Sequence, residues 1–258
     1  MLTIVVVSLL IGLVFAPLGC VILWKKYVYF GDGLAHASML AGILSIMTDI
    51  PIFYSGILCS ALFAIAVFKL KDNSDNNAAI SLTTSLMISL SLALSYAYPS
   101  KINIAKYLIG DILLADGKDI AILLCILVIV ILFLIVYYKA IILIVLNKDV
   151  ASSMGINIKL VEFIFLIILA FSVLSTIKIV GALLVTSIIV IPAMAARNMA
   201  KSPLSMIMLA CLFSLLMNSF GILLSLYVDL PLAPAIILSG GTLYFIISWS
   251  RFVVSSIR

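Results

Sequence analysis

The stretch Gly31-Asp32-Gly33-Leu34-Ala35-His36-Ala37-Ser38 holds the one histidine of the chain and a carboxylate set away from any obvious loop. In a helix, Asp32 and His36 stand four residues apart and project from the same face. A carboxylate oxygen and an imidazole nitrogen are the mixed donor set that zinc and manganese accept. An ionisable side chain in hydrocarbon is costly and faces a cavity or a bundle interior, which marks such a pair as functional. The same spacing suits a second role, in which Asp32 orients His36 through a hydrogen bond and pins two helices without any metal. Spacing alone leaves both open.

The elements that position this pair follow from composition. The chain is 66% apolar and 10% charged, against roughly one-quarter charged in a soluble domain. This composition specifies an all-α, polytopic transmembrane helical bundle. The net charge of +5 comes from basic residues scattered singly between apolar runs. That pattern orients a membrane protein and gives no nucleic-acid surface. Cys20, Cys59, Cys125 and Cys211 each stand alone in apolar runs, as small buried hydrophobes rather than disulfide or thiolate-metal partners. The first apolar run lacks a basic leader and an A-x-A signal, so it reads as a first span.

A span needs about 20 mainly apolar residues. On that rule nine segments qualify: 2–24, 28–47, 51–69, 80–97, 119–146, 160–177, 179–196, 203–228 and 231–250. The turn between 160–177 and 179–196 is so short that one of the two reads equally as a partial segment, which leaves eight full spans. The run 119–146 exceeds one straight crossing and must tilt or protrude. The chain is read as a single transmembrane domain, 1–258, with a cytoplasmic segment at 147–159.

Charge sets the orientation. Loops after odd-numbered spans and the C-terminus hold Lys25, Lys26, Lys69, Lys71, Lys139, Lys148, Lys159, Arg197, Lys201, Arg251 and Arg258. The other loops hold only Lys101, Lys106, Lys118 and Lys178. The odd loops are therefore cytoplasmic and the N-terminus lies outside. An amphipathic piece, Ile104 to Ala115, would sit on the outer face of the membrane as an interfacial helix. In the cytoplasmic segment, a short helix would present Val150, Met154 and Ile156, with Gly155 ending it. It reads as a linker or as a docking helix for a partner.

Within the spans, Gly33, Ala37, Ala41 and Ser45 recur every four residues and form a stripe for close helix approach. Gly31 and Gly33 would let the backbone unwind around Asp32. Glu162 reads as an interfacial partner of Lys159. Ser172, Ser175, Thr176, Thr186, Ser187, Asn218 and Ser219 read as interhelical hydrogen-bonders, and Pro17 and Pro192 as kinks. No internal repeat shows. The chain has no G-x-x-x-x-G-K-[ST] and no H-E-x-x-H, and one histidine cannot build a multi-histidine zinc site. A cation path fits these residues better than hydrolysis.

Five segments carry a resemblance: Gly31 to Ala37, Tyr107-Leu108-Ile109-Gly110-Asp111-Ile112-Leu113, Asp149 to Gly155, Val180-Gly181-Ala182-Leu183-Leu184-Val185-Thr186 through Ile191-Pro192-Ala193, and Asp229-Leu230-Pro231-Leu232-Ala233-Pro234. Together they resemble the permease subunits of ABC-3 type transporters for zinc, manganese and iron(II). The resemblance implies a homodimer in the bacterial cytoplasmic (inner) membrane. It also implies two copies of a cytoplasmic ATP-binding subunit and an extracytoplasmic metal-binding protein. The permease has no ATP-binding motif of its own and no permanently bound cofactor. Its cargo would be a divalent metal, zinc, with manganese or iron(II) as the alternative within the family and a secondary cation carrier as the alternative outside it. Asp32 and His36 inherit the place of the family's translocation-path residues. Asp149, Val150, Ala151, Met154 and Gly155 inherit the segment that couples to the ATPase.

An imidazole binds metal only when neutral, and free histidine titrates near about 6.5. Uptake that depends on His36 is expected to weaken as pH falls through that range. A pH profile of labelled-metal uptake checks this, and uptake rising steadily toward acid would remove His36 as a ligand.

Overall fold

A computed structural model describes residues 2–71, 75–97, 115–181 and 185–256. The helices α1 (Leu2–Lys25), α2 (Phe30–Thr48), α3 (Ile52–Leu70) and α4 (Asn76–Ala97) come first. Helix α5 (Gly117–Leu146) and the short α6 (Lys148–Ser153) follow. Then come α7 (Ile158–Val180), α8 (Val185–Met199), α9 (Pro203–Val228) and α10 (Leu232–Ser256). The described residues contain no strand. The expected interfacial helix and the Tyr107–Leu113 motif fall on 98–114, outside the described residues apart from Ala115, as do 72–74 and 182–184 of the other singled-out stretches.

Among the described residues eight helices are long and apolar enough to cross a membrane, and α8, with 15 residues, is shorter. The protein is a multi-pass membrane protein. The expected span at 179–196 therefore gives way to a partial one, and the reason is local. Gly181, at φ 84, ends α7, and its N–H donates to the Ile177 carbonyl at 2.8 Å. A positive φ is open to glycine without the steric penalty that a Cβ brings. Helix α5 has 30 residues, about 45 Å at 1.5 Å per residue against a hydrocarbon core of about 30 Å. It exposes Ile135 and Val136, a surface suited to lipid.

The chain divides into two compact units. One contains α1, α5 up to Ile131, α8 from Thr186, α9 and α10. The other contains α2, α3, α4, α5 from Leu132, α6 and α7. In the first unit α1 packs on α9, and α9 on α10. Ser8 Oγ donates to Asn218 Oδ1 at 2.8 Å across the α1–α9 contact, and Asn218 Nδ2 donates to the Ser214 carbonyl at 2.8 Å. Asn218 is 1% exposed. This residue is the interhelical bridge expected of it. Ser172, Ser175 and Thr176 instead donate to carbonyls one turn back in α7. The hydroxyl of a helical Ser or Thr reaches its own i−4 carbonyl before any neighbour's. Of the cysteines, Cys20 and Cys59 are buried as expected, but Cys125 is exposed on α5.

Two hairpin turns share one construction. Helix α2 ends at Asp49, with φ 54, followed by Ile50-Pro51 and the start of α3; Ser45 Oγ donates to the Ile50 carbonyl at 2.7 Å. Helix α9 ends at Asp229, with φ 56, followed by Leu230-Pro231 and the start of α10; Ser225 Oγ donates to the Leu230 carbonyl at 2.7 Å. Aspartate tolerates the left-handed conformation better than most residues, and proline opens the next helix without an orphaned N–H. The repeated pattern S-x-x-x-D-[I/L]-P is too short to read as an internal repeat in the sequence alone.

At Gly221 a Cβ would lie 2.5 Å from the Ile236 Cα, so α9 and α10 touch backbone to backbone there; at Gly241 a Cβ meets nothing within 4 Å. Gly221→Leu should lower stability by about 1–3 kcal/mol through forced separation. Gly241→Leu should not. Thermal unfolding of the two purified variants in detergent compares them, and equal melting temperatures would contradict this packing.

Candidate functional site

Helix α2 lies in the second unit, packed against α3, α4 and α7. Its first turn is closed: Phe30 N donates to the Tyr27 carbonyl at 3.0 Å and Gly33 N to the Tyr29 carbonyl at 2.9 Å. The expected unwinding around Asp32 does not occur, because the glycine is used for contact. A Cβ at Gly33 would come 2.3 Å from Thr84 Oγ1 of α4 and 2.9 Å from Phe63 Cζ of α3. Ala37 and Ala41 continue the buried stripe, and Ser55 Oγ of α3 donates to the Ala41 carbonyl at 2.9 Å. Ser45 leaves the stripe for the turn described above. Phe30 meets Phe63 edge-on, with centroids 5.2 Å apart.

With that side taken, Asp32 and His36 fall on the less covered side. Their side chains are 47% and 27% exposed, and Asp32 Oδ1 lies 3.8 Å from His36 Nε2. The separation is too long for a hydrogen bond, so Asp32 does not orient His36 by one. It remains within the reach of a shared ion. Tetrahedral zinc with bonds of about 2.0–2.2 Å holds two donors about 3.3 Å apart, so a small side-chain rotation would bring this pair onto one ion. Asp32 also sits in the first turn of α2, where the helix dipole favours a negative charge. No group of three or more His, Cys, Asp or Glu residues able to hold a metal occurs among the described residues. The pair alone offers two donor atoms, too few for a closed metal site.

The segment 147–159 is built as a rigid corner. Asn147 Oδ1 accepts from the Asp149 and Val150 amides at 2.9 and 3.2 Å and starts α6. Gly155, at φ 77, ends it, and Ile156 N donates back to the Ala151 carbonyl at 3.1 Å. Asn157 Oδ1 then accepts from Leu160 N at 3.1 Å and starts α7. Ala151 is fully buried, whereas Val150 and Met154 are 45% and 64% exposed. The expected short helix is present, but it ends at Ser153, so of the expected apolar face only Val150 lies within it, with Met154 at its C-cap and Ile156 beyond the Gly155 turn.

Sequence reasoning overlooked Lys71 as anything but a loop charge. Its ammonium pairs with the Glu162 carboxylate, joining the end of α3 to the first turns of α7. Both side chains are buried, at 6% and 9% exposed. The contact agrees with the charge-derived topology, which puts both helix ends on the cytoplasmic side. The signal available was a pair of opposite charges at span ends on one side of the membrane.

A sequence profile described as the ABC 3 transport family matches residues 1–251. The chain is 31% identical over 247 residues to the high-affinity zinc uptake system membrane protein ZnuB of Buchnera aphidicola, covering 93% of each. It is 24% identical over 246 residues to the manganese import system permease protein ScaB of Streptococcus parasanguinis, covering 95% of this chain and 88% of the relative. In fold it is similar to a chain of PsaBC from Streptococcus pneumoniae in complex with Fab. That likeness has a TM-score of 0.80 and 22% identity, over 95% of this chain and 89% of the other.

Asn147→Ala removes the acceptor of two amides at the start of α6. Loss of such a cap costs about 0.5–2 kcal/mol, so amide exchange at Asp149 to Ala151 should speed up while the buried α7 stretch around Leu166 stays protected. Unchanged exchange at α6 would mean that the cap does not hold it.

Proposed function

Because the chain belongs to the ABC 3 transport family, we propose that it is the transmembrane permease subunit of an ATP-driven importer carrying a divalent metal ion, zinc, across the bacterial cytoplasmic membrane. The observation that carries the reading is the Asp32–His36 pair on the open side of α2, with donor atoms 3.8 Å apart. Oxygen and nitrogen donors offset part of the hydration that a divalent ion loses on entering the pathway. Two donors suit transport, because an ion held by a complete shell would not leave. A second copy of the chain supplies a second pair, so the importer is a homodimer with four ligands available along its pathway.

Energy comes from a partner. Two cytoplasmic ATP-binding subunits dock on the exposed Val150 and Met154 of α6, with Asp149, Ala151 and Gly155 holding the corner that presents them. A metal-binding protein delivers cargo from outside. ATP binding and hydrolysis switch which side of the pathway is open. Membership in an ATP-binding-cassette family leaves nothing in favour of a secondary carrier. Zinc is preferred as cargo on the greater identity to the zinc uptake relative, and manganese is the second reading on the likeness to the manganese permease.

Uptake of labelled zinc and labelled manganese into cells expressing the full transporter tests this, with His36→Ala compared at matched membrane levels. Zinc uptake should fall about tenfold or more, at least the loss typical of weaker changes around a metal site. Collapse of manganese uptake alone would rename the cargo. Unimpaired entry of a metal that the wild type carries would move the pathway away from α2.

A further inference from the structure

We propose that the buried Lys71–Glu162 ion pair is a strut that carries movement of the α6 corner to the helices presenting Asp32 and His36, so that Lys71 and Glu162 are positioning residues for transport. The inference rests on the importer reading above.

The connections run through one compact unit, the one that contains α2, α3, α6 and α7. From α6 to α7 there is no slack. Four residues, Met154 to Asn157, separate the helices, and the Ile156–Ala151 hydrogen bond and the Asn157 cap fix them. From α7 to α3 the ion pair is reinforced by one ring contact between the helices, Phe68 on Phe163, and Lys71 also lies over Phe68 at the end of its own helix. Lys71 Nζ lies 4.4 Å from the Phe68 ring centroid, and Phe68 meets Phe163 edge-on at 5.3 Å. From α3 to α2, the Phe63 ring covers Gly33, the residue next to Asp32, and Ser55 bonds the Ala41 carbonyl.

Physical chemistry makes the middle connection unusual. An apolar contact between two helices tolerates sliding, because any greasy surface satisfies another. A buried ion pair does not, because separating the charges leaves each unpaired where water is scarce. Helices α3 and α7 are therefore locked in register. Such a pair is weak evidence for stability, since well-packed apolar residues serve a core as well. Its position, between the corner offered to the ATPase and the helices around the metal pair, gives it a mechanical task. The task is to turn displacement at α6 into displacement of α2.

The test is metal moved per ATP hydrolysed, measured in liposomes holding the complete transporter with labelled zinc, and with labelled manganese in parallel. The double variant Lys71→Met with Glu162→Met keeps the packing and removes the charges. Its ATPase rate should stay within about twofold of wild type while metal per ATP falls about fivefold or more. The exchange Lys71→Glu with Glu162→Lys should restore at least half of the ratio. An unchanged ratio in the double methionine variant overturns the strut, as does a parallel loss of hydrolysis and transport at constant ratio. A wild-type complex with no ATP-dependent uptake of either metal overturns the importer reading, and the strut with it.

Discussion

The close contact of α2 with α3 and α4 over Gly33, Ala37 and Ala41 is what the rest of the site depends on. Lipid tails are as apolar as leucine, so helices in a membrane gain little from hiding apolar side chains against each other. They associate where their surfaces fit, and the fit is closest where side chains are smallest. Along this stripe α2 has almost no side chain to interpose, and Phe63, Ile80 and Thr84 come up against its backbone. Packing on one side leaves the other free for groups that would ruin a packed interface. Asp32 and His36 are those groups. Their half-exposure and the burial of the stripe are two results of one sequence pattern.

Much of this was legible in the sequence, for definite reasons. Spans announce themselves because a helix must supply about 20 apolar residues, and α9 keeps the limits 203–228 that this rule gives it. The four-residue spacing of Asp32 and His36 sets their common face as soon as the segment is helical. Other features depend on geometry that spacing does not hold. Ser45 fits the small-residue stripe by position, yet its hydroxyl serves the Asp49 turn. Ser172 and Thr176 look like interhelical glue, yet one turn of helix puts a carbonyl within their reach. Gly31 and Gly33 look like a place to unwind, yet the neighbours of Gly33 leave no reason to do so. The Lys71–Glu162 pair joins residues 91 positions apart, and only the packing of α3 on α7 brings them together.

The division of the chain also separates tasks. The unit around α2 holds both the Asp32–His36 pair and the α6 corner, while the unit around α1, α9 and α10 is knit by Ser8, Asn218 and backbone contact at Gly221. Polar groups are used differently in the two. In the first, Asp32 and His36 are partly exposed while Lys71 and Glu162 pair in the interior. In the second the Ser8–Asn218 bond is turned inward, where it fixes how α1 and α9 cross.

The matched turns at Asp49 and Asp229 bear on how the chain enters its membrane. Each hairpin closes on a connection of three residues between helices, carrying a single charge. A translocation machinery handling α2 with α3, or α9 with α10, has almost nothing hydrophilic to thread through. The two helices of each pair can then partition into lipid together, with the turn already closed by its serine. Biogenesis of these pairs is thereby limited by helix pairing rather than by moving loops across the bilayer, and a tag or a charged insertion in either turn burdens assembly before it touches transport.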